Sequence, residues 1–340
     1  MNTQQQLPPS SQMMQIITGF WTSCCIYNAA MLNVADLLGN KPQSAEQLAE
    51  VTHTDAPSLY RMMRALASVD IFSENEKGEF SNTTLSETLK GDVPGSMKAM
   101  AIAQLGDHYN AWGNLLYSIK TGNIAFDKVE GMTVLKYYET HPEEGLNFMK
   151  AMTGSTIAAI KNVIPAYDFS AFKTIVDVGG GNGAFLVAVL NTANQTTGIV
   201  FDEEYVADET QKEIAAENLS ERCSSKAGSF FDFVPGGADC YLMKHVLHDW
   251  NDEKSIQILS NCKKAMGPGS KLLVIEGVIP EGNGQHPGKF MDINMMAMTG
   301  GKERTEKEFS TLFAKAGLKL TRVMHTNSPT LSILETVKND

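Results

Sequence analysis

One segment, residues 174–186, constrains the fold of this chain more than any other. It runs Thr-Ile-Val-Asp-Val-Gly-Gly-Gly-Asn-Gly-Ala-Phe-Leu: a β-branched apolar run, four glycines and a second apolar stretch. This order predicts a buried parallel strand that turns sharply into a helix, with bare backbone free to approach a ligand. The next apolar run, residues 198–201, ends at Asp202, whose carboxylate is placed to accept both hydroxyls of a ribose. Together these features predict a site for an adenosine-containing ligand.

Length, composition and charge narrow the protein class. A chain of 340 residues suits two domains, and 43% apolar with 20% charged residues is typical of a globular protein. The net charge of −11 argues against nucleic acid or an anionic membrane as a partner. The first nine residues lack the order of a signal peptide, and no apolar run reaches membrane-spanning length, so we expect a cytoplasmic protein.

The first 165 residues are expected to be mainly helical. Apolar residues recur at helical spacing from Ile16 to Leu38, and residues 97–122 and 142–164 have the pattern of two longer helices. Residues 44–80 predict two helices and a hairpin, which is a winged-helix order and suggests a DNA-binding regulator as one alternative. This module holds three basic side chains against seven acidic ones, which favours a structural or dimer-forming role over DNA binding.

Two further patterns define the expected architecture. The first helix carries Ile16, Phe20, Trp21 and Leu32, which stay exposed unless a second copy covers them, so we expect a homodimer. Apolar runs that alternate with helix-like stretches after residue 170 predict a parallel sheet with crossover helices. We therefore expect an α/β fold: a Rossmann-like domain with a mostly parallel seven-stranded sheet at residues 169–340. A winged-helix-like, all-helical dimerisation domain at residues 1–96 and connecting helices at residues 97–168 precede it.

The glycine loop alone leaves two cofactors open. Gly179, Gly181 and Ala184 also satisfy the dinucleotide fingerprint, so a nicotinamide-dependent dehydrogenase is an alternative. Two features argue against it. The loop follows a helical region instead of opening a complete dinucleotide domain, and Asp177 lies inside the strand that precedes the loop. A carboxylate there favours a ligand with an ammonium group over a pyrophosphate, which points to S-adenosylmethionine (SAM).

A second motif adds a family resemblance. Residues 238–253 have the order of a strand that ends at Lys244 and leads to His248-Asp249-Trp250. With Val-Asp-Val-Gly-Gly-Gly-Asn-Gly at 176–183, Phe-Asp at 201–202 and Gly-Gly-Lys-Glu-Arg-Thr at 300–305, the chain resembles small-molecule O-methyltransferases of the caffeate and acetylserotonin type, in a bacterial form. The resemblance covers nearly the whole chain. It implies SAM as methyl donor, S-adenosylhomocysteine (SAH) as product, no metal, and a small aromatic hydroxyl compound as acceptor.

The resemblance also implies roles for individual residues. His248 is expected to be the general base, with Glu276 and Glu303 orienting its ring, and Asp249 to lie beside the acceptor hydroxyl. The residues expected to bind the cofactor are Asp177, Gly179, Gly181, Asp202, Ser229, Phe230 and Lys244. The candidates for the acceptor pocket, which is rich in methionine and aromatic residues, are His108, Trp112, Phe148, Met152, Met291, Asn294, Met295 and Met298.

Structural alternatives remain open for these residues. Asp249 could cap the helix that begins after it, Glu276 could be a solvated strand end, and Glu303 could be a charge at a helix N-terminus. Phe230 and the methionines could be ordinary core residues. The reaction has alternatives too: relatives of this fold also methylate nitrogen or carbon, or use SAM without methyl transfer.

The chain departs from the family pattern at three places. Ser229 stands where relatives usually have an aspartate that reaches the adenine amino group, so one hydrogen bond is weaker. Glu203-Glu204 replaces the usual Leu-Pro after the ribose-binding acid, so the family's loop shape does not carry over to this position. Met298 replaces an asparagine of the caffeate-type enzymes, so the substrates of the plant enzymes do not carry over.

Overall fold

The computed structural model describes residues 7–328 and 330–339. By its contacts the chain divides into two compact units, which we call unit 1 (Met1–Asn110 with Tyr138–Gly154) and unit 2 (Ala111–Tyr137 with Ser155–Asp340). The predicted three-part division stays a prediction, since the connecting stretch contributes to both units. Of the start that we compared with a signal peptide, residues 1–6 lie outside the described residues.

Helices and strands follow each other in an order that places the helical region first. The α-helices are α1 Pro9–Met31, α2 Val34–Leu38, α3 Ala45–Thr52, α4 Ala56–Ala67, α5 Thr84–Glu87, α6 Lys98–Leu105, α7 Asp107–Gly113, α8 Leu115–Thr121, α9 Ala125–Glu130, α10 Val134–Thr140, α11 Pro142–Val163, α12 Ala184–Thr192, α13 Ala207–Ala216, α14 Asp252–Ala265, α15 Gly288–Met298 and α16 Glu306–Lys315. The strands are β1 Gln43–Ser44, β2 Phe72–Glu74, β3 Glu79–Asn82, β4 Thr174–Val178, β5 Thr197–Asp202, β6 Cys223–Ala227, β7 Cys240–Lys244, β8 Lys271–Glu276, β9 Leu318–His325 and β10 Ser332–Lys338. Short 3-10 turns lie at Ile164–Ala166, Phe169–Ala171, Glu204–Val206 and Leu247–Asp249.

The helix predicted from Ile16 to Leu38 is broken into α1 and α2. The break lies at Asn33, whose φ of 56° is in the left-handed region. An α-helix cannot continue through that conformation, and asparagine tolerates it better than most residues. The predicted stop at Gly39 is confirmed, because this glycine caps α2 with a φ of 52°.

α1 presents an apolar face with little cover. Ile16 is 74% exposed, Trp21 61% and Phe20 46%. Leu32 differs from the prediction, since it is half-buried against the core of unit 1. Among the described residues, no helix is both long and apolar enough to span a membrane, and α1 is no exception.

The predicted order of two helices and a hairpin is present in unit 1. Ser44 caps α3 in a capping box with Gln47, and Asp55 caps α4 by accepting from the Ser58 amide. β2 and β3 pair as an antiparallel hairpin, and β1 joins them in the order β1-β3-β2. The unit predicted to be all-helical therefore contains this hairpin within a three-stranded sheet.

The helix predicted at residues 97–122 is instead the three short helices α6, α7 and α8. Gly106 ends α6 with a ψ of −108°, and a Cβ there would lie 2.8 Å from the Ile102 carbonyl oxygen. The helix predicted at residues 142–164 is present as the continuous α11. α9 and α10 were not predicted.

Unit 2 is built on a seven-stranded sheet in the order β6-β5-β4-β7-β8-β10-β9. Strands β4 to β8 pair in parallel, and β10 is antiparallel to both β8 and β9. The chain runs outward from β4 through β5 to β6 and then returns to the other side of β4 as β7. Ligands of open parallel sheets bind at this kind of reversal, beyond the carboxyl ends of the strands. The sequence motifs lie at the carboxyl ends of these strands.

Both faces of this sheet are covered, which explains why its central strands are mostly apolar on both faces. On β4, Ile175 belongs to one buried cluster while Val176 and Val178 belong to the other. On β8, Leu273 and Leu272 divide in the same way. Successive side chains of a strand point to opposite faces, so each central strand contributes to two cores.

Candidate active site

The glycine loop after β4, which we call the cofactor turn (residues 179–183), brings backbone close to side chains of later segments. Gly179 has a φ of 70°, and a Cβ there would lie 2.8 Å from Val246 Cγ2 and 3.5 Å from Phe230 Cε1. Any other residue would therefore be strained and crowded. The Gly181 amide donates to Asp202 Oδ2 at 2.7 Å, so the predicted ribose-binding acid also holds the turn.

Asp177 is an acid buried at the end of β4. It is 1% exposed, and its Oδ2 has no hydrogen-bond partner among the described residues. Burial raises the pKa of Asp177 to about 7, against the opposing charge of Lys244 on β7. Lys244 Nζ donates to Thr156 Oγ1 at 3.2 Å. A buried carboxyl oxygen without a partner is costly, so this place fits a ligand that brings its own donor or positive charge.

An aromatic wall lies beside the cofactor turn. Phe230, which follows Ser229, packs edge-on against Phe231 with ring centroids 4.9 Å apart, and Trp250 packs edge-on against Phe231 at 4.8 Å. Phe230 is half-buried, so part of its ring remains available to a flat ligand. Trp250 was not predicted as part of the site. Its place in the His-Asp-Trp motif is the signal that would have found it.

His248 lies on the 3-10 turn that follows β7, in a segment that we call the acid–base turn (residues 247–250). Its Nδ1 is 2.9 Å from Glu303 Oε1 and 3.7 Å from Glu276 Oε2. Glu276 is held in turn by the amides of Val246 and Leu247, which donate to its Oε1 at 2.9 and 2.8 Å. The structure therefore brings together the three residues predicted for acid–base chemistry.

The charges around His248 set its protonation. Burial favours the neutral ring, but the negative charges of Glu276, Asp249 and Glu303 outweigh it and raise the pKa of His248 to about 10. Its other nitrogen, Nε2, is 3.8 Å from Asp249 Oδ1, which is beyond hydrogen-bond distance. Burial also raises the pKa of Glu276 to about 7, although the charge of His248 opposes this shift.

The main chain of Glu303 is held by a contact that the sequence did not reveal. Asp292 on α15 accepts the Glu303 backbone amide at 2.9 Å, which fixes the main chain of this residue. His248, Glu276 and Glu303 also offer three ligand atoms within 4.8 Å of one another, a spacing that a metal ion could bridge. The Nδ1 atom of His248 already has a hydrogen-bond partner in Glu303. The absence of a metal stays a prediction.

The residues predicted for the acceptor pocket belong to both units. In unit 1, His108 is 5% exposed, its Nε2 is 3.2 Å from Tyr138 Oη, and its ring centroid is 6.1 Å from that of Phe148. In unit 2, Trp112 Nε1 donates to Asn294 Oδ1 at 2.8 Å. Met291 is 41% exposed. The remaining candidates are the half-buried Met152 and the buried Met295 and Met298.

Size alone does not locate the site. A surface cavity of about 1080 Å³ in unit 2 is lined by Ile279, Thr311 and Arg322 among others, and it contains none of the predicted site residues. The predicted site residues lie instead at the reversal of strand order, where the unpartnered carboxyl of Asp177 disfavours a pyrophosphate and the His248 imidazole is hydrogen-bonded to Glu303. This fold with this site defines a SAM-dependent methyltransferase.

Comparison with known proteins gives the family within that class. Residues 112–319 match the model of an O-methyltransferase domain, and residues 14–92 match that of an O-methyltransferase dimerisation domain. The chain belongs to this O-methyltransferase family. The resemblance drawn from the sequence motifs is thereby confirmed, and so are the fold class and SAM as the cofactor.

Relatives match along nearly the whole chain. The phenazine O-methyltransferase PhzM of Lysobacter antibioticus is 41% identical over 329 residues, which cover 97% of this chain and 96% of that protein. The crystal structure of LaPhzM has a TM-score of 0.93 at 41% identity and covers 98% of this chain and 100% of that one. The structure of NcsB1 from neocarzinostatin biosynthesis contains SAH and 1,4-dihydroxy-2-naphthoic acid, with a TM-score of 0.82, 31% identity and coverage of 93% and 96%.

One relative shows that the acceptor atom varies among similar proteins. The phenazine-1-carboxylate N-methyltransferase of Pseudomonas aeruginosa is 28% identical over 318 residues, which cover 94% of each chain. A similar chain therefore methylates nitrogen. The family alone does not decide between a hydroxyl and an amine acceptor, and the choice depends on the chemistry of the site.

Proposed function

We propose that this enzyme methylates a hydroxyl group of a small aromatic, phenolic metabolite, with His248 as the general base. The proposal is carried by the 2.9 Å hydrogen bond between His248 Nδ1 and Glu303 Oε1, together with the 3.8 Å separation of Nε2 from Asp249. A neutral imidazole held through Nδ1–H has its lone pair on Nε2, which is the atom that takes a proton from the acceptor.

The base and the acceptor are well matched in proton affinity. SAM, when bound, supplies an electrophilic methyl group on a positively charged sulfur. Phenols have a pKa of about 10, by analogy with tyrosine. The carboxylates around His248 raise its pKa to about 10, which strengthens Nε2 as an acceptor for the proton of the phenol. General-base catalysis of this kind is typically worth about 10² to 10⁴ in rate.

For the binding of the cofactor we propose the residues that the sequence singled out. The unpartnered Asp177 Oδ2 supports a role in receiving the ammonium group, with Lys244 nearby. Asp202 would bind the ribose, and the half-buried Phe230 would lie against the adenine beside Ser229. Gly179 and Gly181 would leave room for the backbone to approach the ligand.

His108, a predicted acceptor residue in unit 1, has a buried and uncharged ring. Burial lowers the pKa of His108 to about 4, so its ring is neutral at physiological pH. Its Nδ1 is buried without a hydrogen-bond partner among the described residues. We propose that a ligand group that pairs with His108 would be a neutral hydrogen-bonding group, because the ring carries no charge. Phe148, whose ring centroid is 6.1 Å from that of His108 in the same unit, would offer this ligand an aromatic face.

The test is turnover by His248→Ala and His248→Gln, with a panel of phenols and aromatic amines as acceptors. We expect kcat for phenols to fall at least tenfold, because the acceptor keeps its proton. The Kd for SAH should stay within about twofold in calorimetry. His325→Ala is the matched control, since that histidine is hydrogen-bonded to Ser332 in the same unit. A near-normal rate in His248→Ala would remove this residue as the base.

N-methylation is the second candidate, because one relative catalyses it. A neutral aromatic amine attacks through its lone pair and needs no base beforehand. If the natural acceptor is an amine, His248→Ala should therefore keep most of its rate with amines while losing it with phenols. Mass spectrometry of the products, together with SAH formation, separates O-, N- and C-methylation from a reaction without methyl transfer. Because no metal is expected, an added chelator should change neither the rate with phenols nor the rate with amines.

We also propose that the enzyme is a homodimer formed through its N-terminal region. The match to an O-methyltransferase dimerisation domain and the exposed apolar face of α1 support this. Phe20→Glu or Trp21→Glu should convert the dimer to monomer in light scattering after gel filtration. A wild-type protein that elutes as a monomer at micromolar concentration would contradict the proposal.

A further inference from the structure

Arg304 is fully buried, although arginine is almost never fully buried unless it is paired. Its guanidinium spans the acid–base turn: Nη1 donates to the Leu247 carbonyl oxygen at 3.0 Å, and Nη2 donates to the Trp250 carbonyl oxygen at 3.0 Å. These two carbonyl groups flank His248 along the chain. The one guanidinium therefore holds the turn that carries the base on both sides of it.

The same guanidinium ties this turn to the start of α14. Nε and Nη2 both donate to Asp252 Oδ1, at 3.1 and 2.9 Å, and Nη2 is 3.2 Å from Ser255 Oγ. The backbone of Arg304 is fixed as well, because its carbonyl oxygen accepts from the Ile279 amide at 3.1 Å, just beyond β8. Arg304 thus links the turn to two neighbouring elements of unit 2.

The segment that carries Arg304 also touches the turn directly. A Cβ on Gly301 would overlap the His248 carbonyl oxygen and would lie 2.5 Å from Asp249 C and 2.7 Å from Trp250 N. Glu303, the hydrogen-bond partner of the imidazole, lies between Gly301 and Arg304. We call residues 300–305 the clamp segment, since its backbone, a carboxylate and a guanidinium all meet the acid–base turn.

We propose that Arg304 is a positioning residue for methyl transfer: it holds the acid–base turn where the His248 ring meets Glu303. The proposal rests on His248 acting as the base. The ion pair with Asp252, whose side chain is 46% exposed, contributes little net stability, because burying the guanidinium costs about as much as the attraction returns. The hydrogen bonds of the guanidinium to Leu247, Trp250 and Asp252 instead favour geometric control, and a misplacement of about 1 Å in a catalytic group can cost about 10² in rate.

The experiment compares Arg304→Lys and Arg304→Met with Arg322→Lys, a control arginine that is 56% exposed and pairs with Glu335. We expect kcat to fall about tenfold in Arg304→Lys, whose single ammonium cannot reproduce the planar fork, and at least 100-fold in Arg304→Met. The Kd for SAH should stay within about twofold. Each variant is repeated in the His248→Ala background, where the further loss should be less than about twofold.

A structural role gives a different pattern. If Arg304→Lys loses the same factor with and without His248, or if SAH binding falls with the rate, the positioning role is overturned. A second measurement does not depend on His248 being the base. The Nδ1 proton of His248, assigned in NMR spectra with His248→Gln, should be present in wild type and Arg322→Lys and should shift or broaden in Arg304→Lys. An unchanged Nδ1 proton signal in Arg304→Lys would contradict the positioning role, even if Arg304→Met failed to fold. A changed signal together with full activity in His248→Ala would contradict only the proposal that His248 is the base.

Discussion

The cofactor turn and the acid–base turn belong to one active site but are built differently. The cofactor turn is made of contiguous backbone, and its supporting contact, Gly181 to Asp202, spans 21 positions. The acid–base turn depends on the clamp segment, with contacts from His248 to Glu303 and from Leu247 to Arg304 that span 55 and 57 positions. The motif of the cofactor turn is therefore mainly local in sequence, whereas the His248 ring is held by parts of the chain that meet only in the folded protein.

The sharpest way to separate the two turns is to add one methyl group to each. Gly179→Ala places a Cβ 2.8 Å from Val246 Cγ2 at a φ of 70°, so we expect the Kd for SAH to weaken at least tenfold. Gly301→Ala pushes against the backbone of the acid–base turn, so we expect kcat to fall at least about 100-fold with SAH binding within about twofold. Calorimetry and steady-state turnover measure both effects.

Gly113 provides the control for this pair, because a Cβ there would meet no atom within 4 Å. Gly113→Ala should leave both quantities unchanged. The comparison breaks down if Gly301→Ala loses cofactor binding as severely as Gly179→Ala does. That result would mean that the position of the clamp segment also determines cofactor binding at the cofactor turn.

The pH dependence of kcat/KM tests the electrostatics of the acid–base turn. His248 must be neutral to accept a proton, and the surrounding carboxylates raise its pKa to about 10, so the rate should rise with pH up to that region. Glu303→Gln removes one negative charge and lowers the pKa of His248. The acid limb of the profile, where kcat/KM rises with pH, should then move to lower pH by about 1 unit. The maximal rate should fall about tenfold, because the ring is held less firmly.

Glu306→Gln is the matched control for charge, since Glu306 begins α16 close by in the chain and is exposed. Its acid limb should coincide with that of wild type. A limb that stays in place in Glu303→Gln, or that moves to higher pH, would show that Glu303 does not set the protonation of His248.

The smallest expected effect concerns the cofactor side. Ser229→Asp restores the acid that relatives usually have before Phe230, and a charge-assisted hydrogen bond is about twice as strong as a neutral one. We expect the Kd for SAH to tighten about fivefold, with kcat within about twofold. Ser224→Asp, on the exposed part of β6, should change neither value. Weaker binding in Ser229→Asp would show that the adenine lies elsewhere.

The parts of the fold that were predictable are those with a strong local pattern. β4 and β8 are mostly apolar because both faces of the sheet are covered, and this pattern is visible in the sequence. β6 was not among the predicted runs, because this edge strand is mostly exposed and polar. The break at Gly106 was missed for a different reason: glycine inside an apolar helical pattern does not reveal its backbone angles.

The same contrast applies to the site. His248, Glu276 and Glu303 were predicted from motif resemblance, and the structure brings them together. Arg304 was not predicted, because a basic residue between Glu303 and Thr305 looks like part of a solvated surface. Its burial follows from long-range packing, which the order of residues does not display. Asp292 was missed for the same reason, since its partner is a backbone amide 11 positions away.

The most direct test of the account is a crystal structure with SAH and the phenol that the enzyme methylates fastest. We predict that His248 Nε2 lies about 2.6–3.2 Å from the acceptor oxygen, with Nδ1 still on Glu303 and SAH above the cofactor turn. An imidazole turned away from the acceptor, or SAH bound at another place in unit 2, would contradict the central claim that His248 removes the proton of the hydroxyl that becomes methylated.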